Sequence, residues 1–329
     1  MLDDPAAPLP ASLATLTAEI QADVAELRTI ARAAADASRA PSTERAYAAD
    51  WRDFSTFANR IGRDRLPAEA ETVALYVADL RRRGRRPATI ARKLAAIAVY
   101  HRSAGHRSPA EHDVVRAVVR GTRRELGVAQ RQSTALSLEG LTRVLAEIPP
   151  DVRGLRDRAL LLVGWAGALR RSELVALEFA DLRFEEEGLV IRIRRSKTDQ
   201  DAAGDIVAIA LGSEATTCPI VALRTWIEAA EMTSGPIFRR VRRNGAIGTD
   251  ALTGYAVALI MAARARAVGL DGDFAGHSLR SGFATAAARA GSTERAIMRH
   301  GRWRDSASAR RYIRDGTRWE NNPTSNIGL

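Results

Sequence analysis

Residues 276–291 read GHSLRSGFATAAARAG. The stretch is rich in helix formers, and a helix here sets His277 and Arg280, three apart, on one face. A histidine beside an arginine is unfavourable when the imidazole is charged. The pairing makes sense when both side chains address one anion, such as a phosphate. Upstream, GALRRSELVAL (167–177) repeats the spacing with Arg170 and Glu173, following the apolar run LLLVGWAGAL. On an exposed helix such an ion pair is worth roughly 0.3 kcal/mol. At the edge of a core a guanidinium needs a partner, and Glu173 can hold one side of Arg170 while the other stays free for an anion.

Downstream, ARRYIRDG (309–316) sets Tyr312 among Arg310, Arg311 and Arg314. A tyrosine there can be a packing residue with a wet hydroxyl. A phenol is also a competent nucleophile toward a phosphodiester once positive charge favours the phenolate. Nine residues earlier, in HGRWRD (300–305), stands Trp303, whose indole N–H can only donate. Between the Arg170 and His277 segments, IRIRRSKTDQ (191–200) holds one of the chain's two lysines, Lys197; the other is Lys93, against 50 Lys+Arg in all.

The remaining chain reads mostly as helix. Residues 1–40 read as one amphipathic helix or a partly ordered helical arm, with apolar residues at Leu13, Leu16, Ile20, Val24, Leu27 and Ile30. From residue 41 to 127 the pattern predicts an all-helical unit, opened by a cap at Ser42 or Thr43 and an apolar face of Tyr47, Trp51, Phe54 and Phe57. VAQRQSTA (128–135) is polar and aperiodic, the expected linker. A second unit, 136–329, is helical apart from GLVIRIRR and GDIVAIALG, two strands joined by the loop SKTDQDAA; SELVALEFADL is expected as one helix. The tail TRWENNPTSNIGL keeps Trp319, Ile327 and Leu329 as apolar anchors.

From residue 41 to 316 the chain resembles the tyrosine recombinase (phage integrase) family. The likeness is carried by Arg170-x-x-Glu173, a lysine in a β-hairpin, His277-x-x-Arg280, Trp303, and Tyr312 nine residues on, in that order. TIARKLAAIAVYHRSAG (89–105) and FRRVRRNG (238–245) resemble the family as well. The resemblance implies a mainly α fold in two domains that clamp DNA, an N-terminal helical SAM-like core-binding domain and an α+β catalytic domain with a small antiparallel sheet. It implies Tyr312 as nucleophile, Arg170 and Arg280 as phosphate clamps, and Glu173 as the residue orienting Arg170. Lys197 would be the general acid, His277 would handle a proton, and Trp303 would fill a slot that is often histidine. Lysine suits the acid role because arginine, with a pKa above about 12, does not readily give up its proton.

The implied reaction is site-specific recombination through a 3′-phosphotyrosyl intermediate and a Holliday junction. Other readings of the same residues are a type IB topoisomerase-like relaxing enzyme and a catalytically silent DNA-binding regulator. The implied partner is double-stranded DNA with inverted-repeat target sites, bound by a homotetramer that is a monomer when free. No cofactor or metal is expected: the chain has no GxxxxGK[ST] loop and no Cys/His cluster.

Charge supports a polyanion partner. The formal net charge is +11, and a GC-rich coding bias explains arginine over lysine but not basic over acidic. Expected DNA contacts are Arg81, Arg82, Arg83, Arg85, Arg86, Thr89, Arg92, Lys93, Arg120, Arg123 and Arg124 in the first unit and Arg240, Arg242 and Arg243 in the second. A single cysteine, Cys218, excludes an internal disulfide framework. The N-terminus lacks a secretory pattern, and no apolar run is long enough to span a membrane, so the expected location is cytoplasmic, on the nucleoid.

Overall fold

The computed structural model describes residues 20–30, 40–127, 133–194, 204–318 and 324. Two compact units, residues 1–130 and 131–329, divide the chain. The expectations for Lys197, the loop 196–203, Leu13, Leu16, Trp319, Ile327 and Leu329 lie outside the described residues.

In the first unit residues 20–30 are helical, with Ile20, Val24, Leu27 and Ile30 exposed. Four helices follow: α1 (Pro41–Arg60), α2 (Ala70–Arg82), α3 (Pro87–Ser103) and α4 (Asp113–Leu126). The expected cap at Ser42 or Thr43 is absent; α1 begins one residue earlier at Pro41, and no side chain caps it. A proline in the first turn already has helical φ and lacks an N–H that would need a partner. The same device opens α3 at Pro87. Phe54, Phe57, Tyr76, Val77, Leu80, Ile90, Ile97 and Val115 form the core, and Trp51 stacks on Tyr100 at 4.5 Å. His101 is fully buried. Its Nδ1 donates to the Ile97 carbonyl at 2.8 Å and its Nε2 accepts from the Ala68 N–H at 2.9 Å, tying α3 to the segment before α2.

The second unit is built around the apolar helix α6. Its elements are α5 (Leu138–Ala146), α6 (Val152–Ala166), α7 (Arg171–Val175), β1 (Leu182–Phe184), β2 (Gly188–Ile193), β3 (Asp205–Ala210), α8 (Pro219–Ala229), β4 (Arg239–Val241), β5 (Ile247–Ala251), α9 (Gly254–Ala267), α10 (Gly276–Arg289), α11 (Glu294–Gly301) and α12 (Ser306–Gly316). β1, β2 and β3 form one antiparallel sheet, with Ile191 opposite Val207 and Leu189 opposite Ile209. These apolar residues alternate inward onto the core, as the strand pattern requires.

In the second unit the structure differs from the sequence reading in three places. The segment 172–182 is not one helix: α7 ends at Val175, and a 3-10 turn at Phe179–Asp181 leads into β1. The break lets Ile237 donate its N–H to the Leu177 carbonyl and Phe179 donate to Gly235. The sequence pattern does not announce the second antiparallel pair, β4 with β5; its strands are short and irregular in register. Finally, Thr134 and Leu136 donate backbone N–H bonds to Asp273 and Ser278, so the last residues of the expected linker are strapped to the second unit.

Candidate active site

α10 begins at Gly276 and presents His277 and Arg280 in its first turns; Ser278 closes the helix start by accepting from the Ala275 N–H at 3.0 Å. Arg280 is 1% exposed. Its Nη1 donates to the Ala168 carbonyl at 2.5 Å, its Cζ lies 3.9 Å from the centre of the Trp303 ring, and its Nη2 has no hydrogen-bond partner among the described residues. Burial, with Arg170 nearby, presses its pKa down to about 9, still protonated at neutral pH.

Arg170 caps the short helix α7. Its backbone N–H donates to Glu173 Oε2 at 2.9 Å, and its Nη1 donates to Oε1 at 2.5 Å. Its Nη2 donates to the Arg302 carbonyl at 3.1 Å. Burial alone would raise the Glu173 pKa, but the charges of Arg302 and Arg170 and their hydrogen bonds overcome it, and the carboxylate is held below its ordinary value. Between α6 and Arg170 the chain turns through Ala168 at φ 45°, which aims its carbonyl at Arg280.

α12 is capped by Asp305, whose carboxylate accepts from the Ala307 and Ser308 N–H groups. Two turns beyond that cap it carries Tyr312, half-buried, with its hydroxyl 2.8 Å from His277 Nε2. Partial burial raises the Tyr312 pKa despite Arg311 and Arg280. His277 moves the other way: loss of water and the charges of Arg280 and Arg170 lower its pKa. A neutral imidazole therefore faces a protonated phenol. Trp303 packs 6.3 Å from the Tyr312 ring, centre to centre. Gly301 permits this, because a Cβ there would fall 1.8 Å from the Trp303 ring. His300 is engaged elsewhere, bonded to the Ala166 carbonyl at 2.7 Å and stacked on Phe283.

The structure thus brings together Tyr312, His277, Arg280, Trp303, Arg170 and Glu173, and adds Arg302, which sequence reasoning does not single out. Arg302 ends α11 in the left-handed conformation, φ 56° and ψ 44°. For a residue with a Cβ that conformation costs on the order of 1 kcal/mol. Its Nη2 donates to Glu173 Oε2 at 2.7 Å. In so arginine-rich a chain nothing marks this one except its place beside Trp303. Among the described residues no group of His, Cys, Asp or Glu is placed to hold a metal ion.

The phage integrase family model matches residues 135–318, and the phage integrase N-terminal SAM-like domain model matches residues 34–108. The chain belongs to the phage integrase family. It is a tyrosine recombinase by that membership. It is 38% identical over 291 residues to an integrase/recombinase xerD homolog of Selenomonas ruminantium, covering 87% of this chain and 85% of that one. It is 29% identical over 284 residues to the recombinase cre of Escherichia phage P1, covering 80% and 81%. Among solved structures the fold is shared with a lambda integrase dimer bound to a COC′ core site, at TM-score 0.58 and 18% identity over 94% of this chain and 83% of that one. It is shared also with XerH bound to a palindromic difH substrate, at TM-score 0.56 and 19% identity over 78% and 70%.

The recombinase's expected DNA contacts differ in how free their side chains are. Arg85, Arg86, Arg120, Arg123, Arg124, Arg240, Arg242 and Arg243 are exposed, and no ion pair among the described residues engages their side chains. Thr89 lies half-buried in the first turn of α3. The others are engaged by acids: Arg81 by Glu125, Arg82 by Asp79, Arg83 by Asp53 and Asp79, and Arg92 by Asp50. Lys93 is a correction. It is 8% exposed, with Nζ 3.0 Å from Asp50 and 2.8 Å from Asp53, so its charge is spent inside the helical unit and not offered to a duplex. No described helix is long and apolar enough to cross a membrane.

Proposed function

We propose that this tyrosine recombinase performs site-specific recombination by the chemistry its second unit assembles. Tyr312 Oη attacks the scissile phosphorus, the P–O5′ bond breaks, and a 3′-phosphotyrosyl link conserves the bond energy for rejoining. His277 Nε2, neutral at physiological pH, takes the phenol's proton. Arg170 and Arg280 neutralise the charge that develops on the phosphate oxygens in a water-poor site. Trp303 keeps Arg280 in place from one face, and Glu173 orients Arg170. Lys197 delivers the proton to the leaving O5′. A 5′-hydroxyl from the partner strand then attacks the phosphotyrosyl link and reverses the step.

In this reading residues 41–127 bind the duplex and residues 136–329 do the chemistry. The DNA carries inverted-repeat sites, and a homotetramer exchanges strands through a Holliday junction, the monomer being the free form. Exposed arginines of both units supply phosphate contacts. The observation that carries the reading is the Tyr312 hydroxyl 2.8 Å from His277 Nε2, beside a buried Arg280 with one nitrogen unpaired among the described residues.

The test begins with target sites selected from a random duplex pool. A nicked suicide duplex bearing such a site should give a covalent protein–DNA adduct on a denaturing gel. Tyr312→Phe should give none. Lys197→Arg should still bind but cleave about 10²–10⁴-fold more slowly. An adduct with Tyr312→Phe would end the reading.

A further inference from the structure

We propose that Arg302 is a positioning residue of this site, a third arginine that releases the charge of Arg170 for the phosphate. The inference rests on the reading of the site as one that cleaves a phosphodiester. Arg302 occupies a helix-closing position, with its N–H donating to Arg299 and the Trp303 N–H donating to Met298, where glycine is the unstrained residue. Its side chain turns inward and is 3% exposed. Nη2 reaches Glu173 Oε2 at 2.7 Å and Nη1 reaches the His300 carbonyl at 2.9 Å. Its own carbonyl accepts from Arg170 Nη2 at 3.1 Å.

Glu173 therefore lies between two guanidiniums, with one oxygen on Arg170 Nη1 and the other on Arg302 Nη2. The net charge of this group sets its attraction for a phosphate. An isolated Arg170–Glu173 pair is neutral and would offer a phosphate little. With Arg302 shared into the pair the cluster carries one net positive charge, next to Arg280. The same residue fixes geometry by its carbonyl, which holds the far edge of Arg170. A glycine would take this left-handed turn without strain and supply the same carbonyl, so the side-chain charge is what an arginine adds here.

Replacement by glycine separates the two services, since Arg302→Gly keeps the backbone conformation and the carbonyl while removing the charge. The experiment uses the full chain and two suicide duplexes, one with a normal scissile phosphate and one with a neutral methylphosphonate there. Arg302→Gly should cleave the phosphate duplex about 10–100-fold more slowly than the parent, with little change on the methylphosphonate, whose transition state carries one negative charge fewer. Arg302→Lys should recover part of the loss on phosphate, and carries the comparison if the glycine variant does not fold. Equal slowing on both duplexes, or none on phosphate, overturns the proposal. A parent that forms no adduct on either duplex overturns the functional reading itself, an outcome distinct from the other two.

Discussion

At the residue scale the central feature is a pair of opposite pKa shifts. Tyr312 is held above the ordinary phenol value and His277 below the ordinary imidazole value. The phenolate is therefore scarce at neutral pH, and the reaction needs a base that is already neutral. A base works only when unprotonated, so single-turnover cleavage should rise with pH through the His277 pKa, below about 6.5, and be level from there to neutrality. An inflection above pH 7 would exclude His277 from this role. The spacing of three in Arg170–Glu173 and His277–Arg280 makes each pair legible, because helical geometry alone brings such residues together. The meeting of Tyr312 with His277, 35 residues apart, is legible only through the family pattern. Arg302 is not legible at all: its contact with Glu173 depends on a left-handed turn that no periodicity announces.

At the element scale the amphipathic helices are legible, and so is the β2–β3 hairpin, whose residues alternate between core and surface. β4 and β5 escape notice because Arg239–Val241 and Ile247–Ala251 show no such alternation and pair with a shift in register. The α1 cap is misplaced in the sequence because Pro41 does its work without a side-chain bond. His101 shows how much one buried group can tie together. Burial lowers its pKa, with His106 a lesser cause. The unfolded chain therefore binds the proton first, and the stability from neutral His101 is present above about pH 6.5 and lost as pH falls below it. His101→Ala should destabilise the helical unit by about 1–3 kcal/mol and flatten its stability profile below that pH. Denaturant titrations of the full chain across pH 5–7.5, the window set by the ordinary imidazole value of about 6.5, would show it. An unchanged acid profile would contradict the assignment.

At the scale of the whole molecule, the net charge of +11 points to nucleic acid but does not say which cations are available to it. The carboxylates of Asp50, Asp53, Asp79 and Glu125 consume part of the basic run in the first unit. Arg85 and Arg86 should each contribute to the salt dependence of duplex binding. Alanine at either should reduce the slope of log K against log salt by about 0.9. Lys93→Ala should leave the slope unchanged and instead cost about 1–3 kcal/mol of stability, since it removes a buried partner from Asp50 and Asp53, which keep Arg92 and Arg83. Filter binding at several salt concentrations, beside denaturant melts, separates the two classes. A slope change on removing Lys93 would mean that its charge reaches the duplex after all.

Recombination by this site requires that Tyr312, one of five tyrosines in the chain, be the residue that joins DNA. The most direct measurement is to trap the adduct on a suicide duplex, digest protein and DNA, and sequence the nucleotide-bearing peptide by mass spectrometry. The account predicts a nucleotide esterified to Tyr312 through its 3′-phosphate. A nucleotide on Tyr255, Tyr100 or any serine, or a 5′-phosphate linkage, would contradict it.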